Sequence, residues 1–185
     1  MAEDSRSASP TDEELVQRVR KGDERAVNVL VDRHHSVVFR TCAAILSDED
    51  LAADASQNSF LKAFRTIERF RGEAAFRTWL LAIARNEARR LLRKIKRRRE
   101  DRLGDLDILP TVGNDPLVEV TLRSDVQRVR EVLADLPEKQ RLSVTLRIFE
   151  GLSFREIGES IDSTEGSARV NYHHGIQRLR ELLGT

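Results

Sequence analysis

The chain is short of several residue types, and each shortage removes a class of explanation. It carries one cysteine, Cys42, in 185 residues, so no disulfide framework and no thiolate zinc site can form within it. Cys42 falls in an apolar helical run and reads as a small core side chain rather than a redox sensor. Aromatics make up 5% of the chain, with nine Gly and four Pro. Helix formers dominate instead, a composition that suits an all-α protein. No apolar run approaches the length of a membrane span, and the polar, acidic N-terminus has no signal-peptide core. The expectation is a cytoplasmic protein with no direct membrane insertion. There is no P-loop, no Gly-rich nucleotide fingerprint and no nucleophile motif. Asp48, Glu49, Asp50 and Asp54 cluster at a helix start, where acids complement the helix dipole, and no pocket-forming polar residues accompany them. Neither enzyme activity nor a cofactor is expected, and no residue is assigned a catalytic or metal-binding role.

What the chain has in quantity is charge, 34% of residues, summing to a formal net charge of only +1. The distribution is more informative than the sum. Residues 76–102 hold eleven Arg and Lys against three acids, whereas residues 103–125 hold five acids against one Arg. A basic stretch followed by an acidic one points to two different jobs.

Capping signals and helical periodicity divide the chain. Residues 1–11 read as a disordered N-terminus, Ser-rich in its first ten residues. Thr11 with Glu14 forms a capping-box signal and Gly22 closes the first helix. Asp23 caps a second helix to about Leu46, with Val27, Leu30, Val31, Val38 and Ile45 at helical spacing. Ser47 with Asp50 signals a third helix to about Ile67, with Leu51, Ala55, Phe60, Leu61 and Phe64 as inner positions. Residues 68–75 form a loop around Gly72. A fourth helix from Phe76 to about Arg99 places Phe76, Trp79, Leu80, Ile83, Leu91 and Ile95 on an apolar stripe. Trp79, in that stripe, reads as core in preference to a stacking platform. Residues 101–123, broken by Gly104, Pro110 and Pro116, form an acidic linker. A second domain spans 124–185. Its first helix is marked by Val129, Val132, Leu133 and Leu136, and the next starts at Pro137 and is closed by Gly151.

The sharpest pattern follows. Ser153 caps a short helix with Glu156 reaching back, and Leu152 and Ile157 form a hydrophobic staple. A polar turn leads to a final helix with Ala168, Tyr172, Ile176, Leu179 and Leu183 on one face. This is helix-turn-helix punctuation, a motif that lays the first turns of its second helix in a DNA major groove. With the inner face fixed, Ser167, Arg169, Val170, His173 and His174 are candidate DNA contacts. Arg169 has the fork to bridge guanine O6 and N7, and Val170 suits a thymine methyl. The two histidines can donate to bases or phosphates. Arg155 is a candidate phosphate clamp. Adjacent histidines on a helix point about 100° apart and converge poorly on one metal ion. The basic half of the fourth helix, including Arg85, Arg89, Arg90 and Arg93, fits a phosphate-tracking surface.

Three blocks occur in order: Asp54-Ala-Ser-Gln57-Asn-Ser-Phe60, Phe76-Arg-Thr-Trp-Leu-Leu-Ala-Ile-Ala-Arg-Asn86, and the helix-turn-helix. Together, from about residue 12, they resemble a bacterial RNA polymerase sigma factor of the sigma-70 family, in its extracytoplasmic function group. The resemblance implies two helical domains. Residues 12–100 would be a sigma-2-like domain that binds the β′ coiled coil of core RNA polymerase and opens the −10 element. Residues 124–185 would be a sigma-4-like domain that reads the −35 element and binds the β flap. It implies polymerase contacts at Asp50, Asp54, Gln57 and Phe60, with Ala53 and Asn58 standing where the family has acids. It implies −10 contacts at Phe70 and Arg71 in a loop that captures a flipped base, and at Asn86, Arg89, Arg90 and Arg93. In the recognition helix, Val170, Asn171 and His174 stand where Ser or Arg is common, and Gly175 replaces a usual Ala, implying an altered −35 preference. In the linker, Asp105, Asp107, Asp115 and Glu119 would repel or mimic RNA in the polymerase cleft. The family's common arrangement also implies an anti-sigma factor and a stress or envelope signal. The alternatives are a free-standing helix-turn-helix regulator, although the chain has no long terminal heptad helix for dimerisation, and an RNA-binding adaptor, although it lacks the usual RNA modules.

Overall fold

The computed structural model describes residues 9–103 and 131–183. The expected disordered stretch up to residue 8, and the acidic linker from residue 104 to 123 with its four named acids, lie outside the described residues. All the regular structure among the described residues is helical.

The first half is a bundle of α1 (Asp12–Arg20), α2 (Glu24–Leu46), α3 (Glu49–Arg65) and α4 (Phe76–Leu103), with a 3-10 turn over Ile67–Arg69. Its helix starts follow local chemistry. The Thr11 hydroxyl accepts from the Glu14 amide at 3.2 Å while Glu14 accepts from the Thr11 amide at 2.9 Å, a complete capping box. Asp23 caps α2 by accepting from the amides of Arg25 and Ala26. The third start departs from expectation. Ser47 ends α2 in the left-handed region at φ 56°, and the cap of α3 is Asp48, which accepts from the Leu51 amide at 2.9 Å. The two helices meet too abruptly for Ser47 to serve both.

The core runs through Leu15, Leu30, Val38, Ile45, Ala55, Phe60, Phe76 and Leu80, all buried. Cys42 lies within it, fully buried, and burial pushes its thiol up to about 12. Leu61, expected inside, is 49% exposed on the outer face of α3. Trp79 packs against Phe70 and Phe76, with centroids 5.3 and 5.8 Å away, as expected for a core side chain.

In the second half, residues 131–134 are helical and α5 (Glu138–Glu150), α6 (Phe154–Ser160) and α7 (Glu165–Leu183) follow. Pro137 stands one residue before α5, as its cap, and Gly151 ends α5 in the left-handed region at φ 63°. The expected capping box at Ser153 and Glu156 is present, and Leu152 and Ile157 are both fully buried.

The halves pack on each other. α2 meets α5 and α4 meets α6, and one apolar cluster runs from Leu15 and Leu30 through Leu142, Leu146 and Ile157.

Candidate nucleic-acid and polymerase interfaces

The helix-turn-helix is set by two close approaches. Gly158 lets α6 pass the start of α7, where a Cβ would lie 2.8 Å from the Thr164 carbonyl carbon. The turn between them is closed by Asp162 at φ 54° and by the Ser163 amide donating to the Gly158 carbonyl at 2.8 Å. Thr164 then caps α7, accepting from the Ser167 amide at 3.1 Å. On the other side α7 lies against α5. A Cβ on Gly175 would lie 2.6 Å from Val144 Cγ2, so the close packing of α7 on α5 favours glycine here.

This packing buries Ala168 and Gly175 and leaves Ser167, Arg169, Val170, His173 and His174 exposed. Arg169 and His173 follow one another by a turn, as do Val170 and His174. Val170 is 53% exposed, unusual for its type and suited to an apolar contact. Arg169 is held from two sides, by Glu165 at 2.8 Å and by stacking over the Phe154 ring at 5.3 Å. Phe154 also lies 5.5 Å from Tyr172 and 6.5 Å from His173, so one ring from α6 supports the front of α7. Its role was not evident from the sequence, where it read only as part of the motif. Arg155 is exposed and pairs with Glu159 at 3.0 Å.

On α3, Asp50, Ala53, Asp54, Gln57, Asn58 and Leu61 are exposed along one face. Phe60 is not among them. It is 7% exposed and stacks on Phe64 at 6.2 Å, turned toward the core because it lies on the opposite side of the helix. Periodicity expected Phe60 inside, as found, and the polymerase contact that the resemblance implies for it is corrected to a buried support of the exposed face. The same correction applies to Phe70, which is 7% exposed and packed edge-on against Phe76. Its neighbour Arg71 is open to solvent, with an 82% exposed side chain. The loop is anchored by Arg20 of α1, which donates to the Ile67 carbonyl at 3.1 Å and to the Phe70 carbonyl. That contact spans 47 residues or more and left no local signal.

On α4, Asn86, Arg90 and Arg93 form an exposed stripe. Arg90 is steadied by Glu87, a buried acid that also binds Lys62 of α3 at 2.6 Å. Burial raises the Glu87 carboxyl, but the hydrogen bonds from Lys62 and Arg90 outweigh it and leave it below the ordinary glutamate value. Arg89 is partly covered and pairs with Glu138 of α5 at 2.7 Å.

Comparison with known proteins places this geometry. Residues 30–99 match the family model described as Sigma-70 region 2, and residues 126–179 match Sigma-70, region 4. A protein named ECF RNA polymerase sigma-E factor from Haemophilus influenzae is 39% identical over 94% of this chain and 93% of its own length. The protein of the same name from Salmonella typhimurium is 34% identical over 94% and 92%. The RNA polymerase sigma-H factor of Pseudomonas aeruginosa is 32% identical over 93% and 91%. Among solved structures, CnrH in complex with the cytosolic domain of CnrY superposes with a TM-score of 0.71 at 21% identity, covering 94% of this chain and 97% of that one. The sigma factor RpoE in complex with the anti-sigma factor NepR from Bartonella quintana gives 0.70 at 23%, covering 85% and 96%. These two structures share the fold. The chain belongs to the sigma-70 family, in its extracytoplasmic function group.

No helix among the described residues is long and apolar enough to cross a membrane.

Proposed function

We propose that this chain is a promoter-specificity subunit. It associates with core RNA polymerase and directs initiation at one class of promoters. The observation that carries the reading is the ordered match to both sigma regions, each lying on a helical unit with an exposed face suited to its task. Asp50, Asp54 and Gln57 on α3 are the polymerase-facing residues, contacting the β′ coiled coil, with Leu61 extending the face. Arg71, Asn86, Arg89, Arg90 and Arg93 contact the −10 region, and Arg155, Ser167, Arg169, Val170, His173 and His174 the −35 element. Residues 12–100 and 124–185 are the two working domains, tethered by residues 101–123, the first three of which continue α4. Each reader can be weak while the pair is strong, because binding one raises the effective concentration of the other.

Two of the solved relatives are described in complex with partner proteins, one of them named as an anti-sigma factor. By that likeness, an inhibitor protein holds this chain in reserve in the cytoplasm until a stress or envelope signal arrives. Adding the purified chain to core RNA polymerase and scoring promoter-dependent transcripts tests the main reading. Stimulation at a discrete promoter set is expected. No stimulation on any promoter of the source genome refutes it.

A further inference from the structure

Arg71 reaches solvent from a loop whose course is fixed by the last residue of α1. The 3-10 turn over Ile67–Arg69 closes with the Phe70 amide donating to the Ile67 carbonyl at 3.1 Å. Arg20 meets that end of the turn from outside. Its Nη2 donates to the Ile67 carbonyl at 3.1 Å and also to the Phe70 carbonyl, one hydrogen for each. A cation suits this place, since the final carbonyls of a helical turn carry the negative end of its dipole. The Arg20 Nε is buried without a hydrogen-bond partner, with Glu68 3.8 Å away. The head group is thus committed to the two carbonyls and not to the neighbouring acid. The Phe70 carbonyl is the telling partner. It shares a rigid peptide plane with the Arg71 amide, so a donor that holds this oxygen fixes where the Arg71 Cα stands. Beyond that plane the loop is open. Gly72 takes a left-handed φ of 76° with nothing within 4 Å of a built Cβ, and the Arg71 and Glu73 side chains are 82% and 81% exposed. The base of Arg20 is itself firm. Leu15 and Val16 bury one face of α1, and at its far end Asp12 binds Arg33 at 2.6 Å and His34 at 2.8 Å, both on α2.

Resting on the promoter-subunit reading, we propose that Arg20 is a positioning residue for the −10 contact at Arg71. It touches no DNA itself. It holds the Phe70–Arg71 peptide in the orientation that presents the Arg71 side chain to the promoter, so α1 sets −10 affinity from behind the loop. The Phe70 ring, packed on Phe76 and Trp79, fixes the other side of the same residue. Ring and carbonyl together order the backbone before DNA arrives, and binding need not supply that entropy.

A double-mutant cycle tests the coupling. Arg20→Met removes the donors and keeps the apolar stem. It is combined with Arg71→Ala, and separately with Arg93→Ala on α4, a −10 contact outside the loop. Each full-length chain is assembled with core RNA polymerase and titrated into a fluorescent, partly single-stranded DNA carrying the −10 element of a promoter that the wild-type chain activates. In the wild-type background, Arg71→Ala and Arg93→Ala are each expected to weaken binding about tenfold. With Arg20→Met in place, the Arg71→Ala penalty is expected to shrink to about twofold while the Arg93→Ala penalty is unchanged. A general loosening of the domain would shrink both alike, so the difference between them reads positioning. An Arg71→Ala penalty as large with Arg20→Met as without it, or an equal loss of both penalties, overturns the proposal. If Arg20→Met does not fold, Arg20→Gln replaces it, an amide on a stem too short to span both carbonyls, with the same expected and refuting results. If Arg71→Ala costs nothing in the wild-type background while transcription is still stimulated, the −10 role of Arg71 fails, and the proposal with it. If no promoter is stimulated, the promoter-subunit reading fails first and takes the proposal with it.

Discussion

Alanine in place of glycine at three positions of the second half makes a graded test of how its helices pack. Alanine favours helix over glycine by about 1 kcal/mol, so an unobstructed site gains roughly that much. Gly166 is such a site, since the nearest atom to a built Cβ, Thr164 Oγ1, is 4.0 Å away. Gly166→Ala is expected to stabilise by about 0.5–1 kcal/mol. Gly158 is the opposite case. Its Cβ would meet the carbonyl carbon and oxygen of Thr164 at 2.8 and 2.9 Å and the Glu165 amide at 3.0 Å. These are backbone atoms at the start of α7, and they cannot rotate away. Overpacking costs about 1–3 kcal/mol when side chains can adjust, and here the whole helix must move. Gly158→Ala is therefore expected to lose a net 1–3 kcal/mol despite its propensity gain, and to tilt α7 against α6. Gly175→Ala lies between. The obstacle is Val144 Cγ2 at 2.6 Å, a stiff buried side chain but still a side chain. Trimming it with Val144→Ala should show positive coupling to Gly175→Ala in a double-mutant cycle. Urea unfolding followed by circular dichroism gives the three midpoints. If Gly158→Ala is as stable as the parent, the close approach at the turn does not set the motif's geometry and the reasoning fails.

Other expectations follow from the same contacts. Asp54→Arg should weaken core polymerase binding at least tenfold in a competition assay with little change in melting temperature, because Asp54 is exposed. Phe60→Ala should instead lose about 3–5 kcal/mol of stability, since its ring is core; the reverse pattern would return Phe60 to the surface role. Phe154→Ala should reduce −35-dependent promoter binding by polymerase about three- to fivefold, the equivalent of one cation–π contact at Arg169, while Phe154→Tyr retains it. Acid should loosen the fold through Glu87 and Glu156. In Glu156, burial raises the carboxyl, but the hydrogen bonds from Arg77 and Ser153 win and leave it lowered. Both carboxyls sit below the ordinary value in the folded chain, so their contribution is complete above about pH 4.3 and is lost as pH falls through the depressed folded values. A urea midpoint that does not fall over that acidic window in wild type, relative to Glu87→Gln, would remove this coupling.

The helices and their caps were legible because capping is local chemistry. Thr11 with Glu14, Asp23, and Ser153 with Glu156 act within three residues of themselves, and all lie where the pattern put them. The errors have a common physical source. Phe60 was placed inside by periodicity, as found, and it and Phe70 were offered as contacts only because they stand in motifs, yet a motif does not say which side of a helix or loop faces out. Periodicity placed Leu61 inside, one position beyond the buried arc of α3. Ser47 lost the capping role because the chain needed a left-handed residue there to turn between α2 and α3. Long-range features left no trace at all. Nothing in the sequence links Arg20 to the loop at Phe70, Phe154 to Arg169, or Arg85 to Asp162, since a solvated charge and a buried one are the same letter.

Which faces are open and which are closed orders the steps of binding. The α3 face with Asp50, Asp54 and Gln57 is exposed while the halves are packed together, and so is the outer face of α7. On the proposed reading, polymerase meets the packed chain without first separating the halves. What the packing of the halves covers is Arg85 and part of Arg89. Phosphate contacts supply most nonspecific affinity, so on the proposed reading the open outer face of α7 is where sequence preference would reside. The ion pairs across the seam between the halves are half-exposed, and pairs of that kind contribute about 0–1 kcal/mol each, so the apolar cluster shared by the two halves carries more of their packing.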